Sequence, residues 1–166
     1  MNTTATRRIL LFVLLILVQV LILNHIHLFG YATPLPYVAF VLQTRRNFPR
    51  WATLLVSLAL GAVIDLFSNT PGVAMGSLTL IGLIQPPLLE VFVPRDSAED
   101  LEPSMKTLGV NKFIFFTVLV VFIFCLCFFT LETFNFFNWI KWLECVGGST
   151  VFTSVLILVL ENMRKR

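Results

Sequence analysis

Long apolar runs, separated by short polar stretches, organise the chain. A helix that crosses a bilayer takes about 20 mostly apolar residues. Runs of that kind cover residues 9–29, 51–67, 71–93, 112–131 and 140–160. A further run, 34–43, is too short alone. It either extends into flanking polar residues or sits in the membrane as a short helix packed on its neighbours. None of the runs carries the charged face of a soluble amphipathic helix. The pattern predicts an all-α, polytopic membrane protein with about six transmembrane helices, in a single integral membrane domain over residues 1–166.

The basic residues test the count. With a cytoplasmic N-terminus and six crossings, Arg7, Arg8, Arg45, Arg46, Arg50, Arg95, Lys106, Lys112, Arg164, Lys165 and Arg166 all fall inside. Only Lys141 falls outside. Five crossings would place the C-terminal Arg-Lys-Arg outside, against the positive-inside tendency. Charge therefore favours 34–43 as a true span and puts both termini in the cytoplasm. The external connections are then short (30–33, 68–70 and 132–139), and the longest connection, 94–111, is expected to be a flexible, solvated cytoplasmic loop of mixed charge. Arg7 and Arg8 before an apolar run could open a signal peptide, but no A-x-A-like site follows, so an uncleaved first span is expected.

Composition agrees. The chain is 57% apolar and 13% charged, whereas a soluble domain is about a quarter charged. The net charge of +3 does not point to nucleic acid, because the cations sit at the ends of apolar runs rather than in a stripe interleaved with aromatics. Cys125, Cys127 and Cys145 lack metal or redox spacing and read as small buried hydrophobes. His25 and His27, two apart on a helix, point to different sides and read as interfacial polar residues. Trp139 and Trp142 fit an aromatic belt. No catalytic, cofactor-binding or metal-binding motif is present, so no cofactor is expected and the chain reads as a non-enzyme.

One stretch stands out. IDLFSNTPG, residues 64–72, places an aspartate at the end of an apolar run and a turn after it. Counting back from Asp65 in fours gives Gly61, Ser57 and Thr53, one ridge of a helix. Across the turn Gly72 and Gly76 repeat the spacing. Small and polar residues on a ridge allow close packing of helices in lipid. The two flanking spans are thus expected to form a tight antiparallel hairpin. Thr70 is the expected N-cap of the second and Pro71 its first helical residue. Ser68 and Asn69 suit the turn. Asp65 has three readings: a cap or hairpin clamp, a contact to a partner, or an ion or proton site. On the last helix Gly147, Gly148, Ser149, Thr150, Thr153 and Ser154 form a second candidate packing surface, and Pro86-Pro87 must interrupt a backbone ladder.

GAVIDLFSNTPGVAMG, followed by LIGLIQPPLLEVFVP, resembles the core of the rod shape-determining MreD family. Gly61, Asp65, Ser68, Asn69, Pro71 and Gly72 match that family's glycine, aspartate, turn, proline and glycine. Many members place a bulky residue between the proline and the glycine, which here adjoin. The resemblance implies a non-enzymatic scaffold of the bacterial inner membrane, maintaining rod shape and organising peptidoglycan synthesis. Its implied partner is an MreC-like single-span protein. Through that partner it would reach MreB filaments, RodA and a class B penicillin-binding protein. The family also resembles the substrate-binding subunits of energy-coupling-factor transporters, which keeps a transporter reading open. Such a subunit would need a polar cavity, for which Gln19, Asn24, Thr53, Ser57 and Thr79 are few and scattered. A homo-oligomer is a further possibility.

Overall fold

The computed structural model describes residues 13, 16–19, 34–93, 97, 101–133 and 139–164. The expected first span lies outside them except for Val13 and residues 16–19, which are helical; His25 and His27 lie outside altogether. Five helices follow in the described residues: α1 (Val38–Leu42), α2 (Arg50–Ser68), α3 (Val73–Phe92), α4 (Val110–Thr133) and α5 (Trp139–Arg164). The described residues contain no strand. Helix is the expected answer for this sequence, because in lipid every backbone N–H and C=O must be satisfied within the protein.

Four of the helices, α2 to α5, are long and apolar enough to cross a membrane. They form a sequential bundle in which α3 packs on α2, α4 on α3 and α5 on α4. Leu66, Phe67, Leu83, Val91, Phe115, Ile140 and Val151 point outward and are more than half exposed. So much apolar side chain would be a liability in water; facing acyl chains it is the ordinary outside of a membrane protein. The interior is built on fully buried Phe113, Phe116 and Phe124 of α4, with Leu60, Leu78, Ile81, Leu89 and Ile157. Phe92 tilts onto Phe116 at 5.7 Å between ring centres. The chain is thus a membrane-embedded helical protein.

Local chemistry sets the helix ends. Pro49 starts α2 with an extended backbone, and its carbonyl accepts the N–H groups of Ala52 and Thr53. Asn69 ends it in the left-handed conformation, φ 56°, a conformation asparagine tolerates better than most side chains. Gly109, at φ 84°, turns the chain into α4. α3 runs through Pro86 and Pro87 without ending. The two rings remove the ladder donors to the carbonyls of Gly82 and Leu83.

The 34–43 segment differs from a spanning helix. α1 has five residues and rises only about 7.5 Å. Residues 34–37 before it are non-helical and buried. The Leu35 N–H donates to Thr153 Oγ1 at 3.1 Å, and Gln43 Nε2 donates to Glu161 Oε2 at 3.2 Å. Those α5 partners are eight residues apart, about 12 Å along the helix. Residues 35–43 therefore cover less than half of the roughly 30 Å hydrocarbon thickness. Of the two forms expected for this run, the short packed helix is the one observed. Gln85 of α3, itself buried, holds the end of α1 by donating toward the carbonyls of Leu42 (3.5 Å) and Thr44 (3.4 Å).

The expectation of a solvated loop over 94–111 is corrected for residues 101–109. Leu101, Pro103 and Leu108 are buried. The Arg46 N–H donates to the Leu101 carbonyl at 3.0 Å, and Arg45 Nε pairs with Glu102 Oε1 at 2.7 Å. Thr107 Oγ1 donates to the Glu102 carbonyl and closes a turn with Ser104. Three apolar residues among the charges are enough to seat this stretch against the bundle.

Candidate functional site: a carboxylate clamp in the helix hairpin

Among the described residues, the α2–α3 hairpin brings two helix backbones into direct contact. A Cβ built on Gly61 would lie 2.4 Å from Met75 Cα, 2.6 Å from Met75 N and 2.8 Å from the Ala74 carbonyl carbon. The backbones touch there, and only glycine leaves room. Further along, Gly82 of α3 sits against Ser57, with a Cβ at Gly82 falling 2.7 Å from Ser57 Oγ. Thr53, Ser57, Gly61 and Asp65 are all buried. The four-residue ridge read from the sequence is therefore the face of α2 that enters the seam.

On α3 the answering ridge is different from the expected one. Gly72 would have open space around a Cβ, and Gly76 faces Leu131 of α4 at 3.4 Å. The seam is made instead by the backbone at Ala74 and Met75 and, seven residues on from Met75, by Gly82. Seven residues bring a helix back to nearly the same side. Counting from Gly72 began outside the helix, which starts at Val73.

Asp65 closes the hairpin. Only 6% of it is exposed. Its Oδ1 accepts from the Ala74 N–H (2.8 Å) and the Thr70 hydroxyl (3.1 Å). Its Oδ2 accepts from the Met75 N–H (2.9 Å) and the Gly72 N–H (3.0 Å). The Asp65 carbonyl accepts from Asn69 and Thr70 as well. The first N–H groups of a helix have no partner within it and carry the positive end of its dipole. A carboxylate delivered from the preceding helix satisfies both needs at once. Among the described residues, the four donors to the Asp65 carboxylate come from the six-residue stretch 70–75 of its own chain.

The local cap expected at Thr70 is corrected by this arrangement. Gly72, at φ 88°, is the N-cap residue and has no side chain to cap with. Pro71 is in the turn, two residues before the helix. Thr70 donates to the capping carboxylate rather than capping itself. Ser68 is the last residue of α2, and Asn69 makes the left-handed exit. Local capping rules look for an oxygen adjacent to the helix start. Here the oxygens come from seven to ten residues back, across a turn.

The other small-residue surface divides. On α5 the hydroxyl residues Ser149, Thr150, Thr153 and Ser154 are buried, whereas Gly147 is exposed with nothing within 4 Å of a Cβ. Trp139, 62% exposed, stacks edge-on with Trp142 at 6.3 Å. Glu90 is exposed on α3 at the end opposite the clamp. No group of three or more His, Cys, Asp or Glu is placed to hold a metal among the described residues. Gln85, Gly82 and Tyr37 are structurally central and were not singled out by sequence. A lone amide in an apolar span was the available signal for Gln85, since such a group seeks a partner inside the protein.

Comparison of the chain with protein-family models, characterised proteins and solved structures finds no match.

Proposed function

We propose that this chain is a non-enzymatic scaffold of the bacterial inner membrane that helps maintain rod shape, with both termini in the cytoplasm and six crossings, the short helix of segment 34–43 forming only part of one of them. Its partner in this reading is an MreC-like single-span protein with an external domain. Through it the scaffold joins MreB filaments, RodA and a class B penicillin-binding protein. The reading rests on the resemblance of residues 61–76 and 80–94 to the rod shape-determining MreD family. The observation that supports it best is the use made of the motif. Gly61, Asp65 and Gly72 each do what their residue type is suited to there: allow backbone contact, cap a helix from across a turn, and hold φ 88°. A motif spent on holding two helices together suits a protein whose work is assembly rather than chemistry.

The test is depletion in the source bacterium. Rounding of rod-shaped cells, reversed by a wild-type copy, is the expected result. Unchanged shape together with a defect in uptake of a small molecule would refute the scaffold and favour the substrate-binding subunit of an energy-coupling-factor-type transporter.

A further inference from the structure

Two stretches far apart in sequence meet at one end of the bundle. The Arg46 N–H donates to the Leu101 carbonyl at 3.0 Å, and Arg45 Nε pairs with Glu102 Oε1 at 2.7 Å. These bonds lay residues 101–109 beside the connection 43–49, which leads into α2, and residues 101–109 lead in turn into α4. Phe92, the last residue of α3, meets Phe115 of α4 at 6.2 Å between ring centres and so reaches the same end.

The charge left over there is positive. Arg50, Lys106 and Lys112 are exposed and Arg46 is half-buried. Among the described residues none of the four has an ion-pair partner. Glu102 is engaged by Arg45, and Glu161 is buried and accepts from Gln43. Glu90, exposed on α3, offsets one cation at most. The opposite end is different, because its one described cation, Lys141, stands with the exposed acids Glu132 and Glu144.

Apolar surface continues from the cations toward the middle of the bundle. Trp51, next to Arg50, is 67% exposed, and Phe115, one turn on from Lys112, is 65% exposed. Both helices are membrane-length, so these rings face acyl chains just inside the headgroup layer, where tryptophan is enriched. Unpaired cations above exposed apolar rings are complementary to a lipid whose headgroup carries net negative charge.

We propose that this end of the bundle binds anionic phospholipid, with Arg46, Arg50, Lys106 and Lys112 against the headgroups and Trp51 and Phe115 against the chains. The Arg45–Glu102 pair helps to build the surface by joining its two halves. The binding is independent of the cellular role proposed above.

Quenching of tryptophan by brominated lipid tests this on the full chain in phosphatidylcholine vesicles. The chain has three tryptophans. Trp139→Phe/Trp142→Phe leaves Trp51 to report on the basic end, and Trp51→Phe leaves the other two to report on the opposite end. A minor fraction of dibrominated phosphatidylglycerol should quench Trp51 with an association constant at least about fivefold above that of dibrominated phosphatidylcholine, and added salt should lower it. Lys106→Gln/Lys112→Gln in the Trp51-only background should reduce the preference, by up to about fivefold for each charge removed, whereas Lys141→Gln should leave it unchanged. Equal quenching of Trp51 by the two lipids would overturn the proposal. So would a preference that survives Lys106→Gln/Lys112→Gln in full, or one matched by Trp139 and Trp142 at the opposite end.

Discussion

Replacing Asp65 is the sharpest perturbation available. Asp65→Ala strips partners from three backbone N–H groups and one hydroxyl. The Ala74 N–H is buried and stays unsatisfied, which costs about 1–3 kcal/mol. The Gly72, Met75 and Thr70 donors are only part-buried, and water at the bundle end recovers much of their loss. A lost helix cap on its own is worth about 0.5–2 kcal/mol. The two figures overlap, because the Ala74 bond is itself part of the cap, so the destabilisation is about 2–3 kcal/mol, or a Tm lower by roughly 5–10 °C. Asp65→Asn is the informative companion. It keeps one acceptor oxygen but turns the other into an NH2 group facing donors, so it should lose about half as much. The assay is thermal unfolding of purified protein in one detergent, with the three proteins side by side. The expected order is wild type, then Asn, then Ala. An alanine variant within about 0.5 kcal/mol of wild type would refute the clamp, that being the range of an inert surface change.

The remaining expectations use the same assay unless noted. Gly61→Ala drives a methyl into the Met75 backbone and should destabilise by about 1–3 kcal/mol or more, whereas Gly147→Ala, in open space, should stay within about 0.5 kcal/mol of wild type; equal effects at the two glycines would contradict the seam. Gly72→Ala should cost about 1–2 kcal/mol through its left-handed backbone although nothing surrounds it; a neutral result would mean the turn adopts another conformation. Gln85→Leu should release the end of α1 and speed proteolysis between residues 43 and 49 at least several-fold, with α2 and α3 still protected; unchanged cleavage would show that Gln85 does not anchor that segment.

Periodicity made the larger features legible. The runs 51–67, 71–93, 112–131 and 140–160 correspond to helices that begin and end within four residues of those limits. That follows from physics, since a membrane-length apolar run has one way to satisfy its backbone. The α2 ridge through Thr53, Ser57, Gly61 and Asp65 was readable for the same reason: helical spacing fixes which residues share a face. Its counterpart on α3 was not, because a ridge counted from Gly72 starts in a turn with its own geometry. Thr70 shows the limit of local rules when a side chain from the preceding helix outcompetes a neighbour. Residues 34–43 show the limit of charge. The positive-inside rule counts crossings but does not distinguish a complete helix from a short one, and residues 35–43 descend beside α5 over only about 12 Å. Leu101, Pro103 and Leu108 were outweighed by the acids and bases around them, yet they hold that stretch against the bundle.

In the role proposed above, this protein works by holding a membrane partner rather than by chemistry or transport. Purifying a tagged wild-type copy from its own membranes in mild detergent, and identifying by mass spectrometry what remains bound in stoichiometric amount, tests that most directly. The expected companion is a single-span protein with an external coiled-coil domain of the MreC type. Recovery of an ATPase module or of a tightly bound small molecule in its place would contradict it.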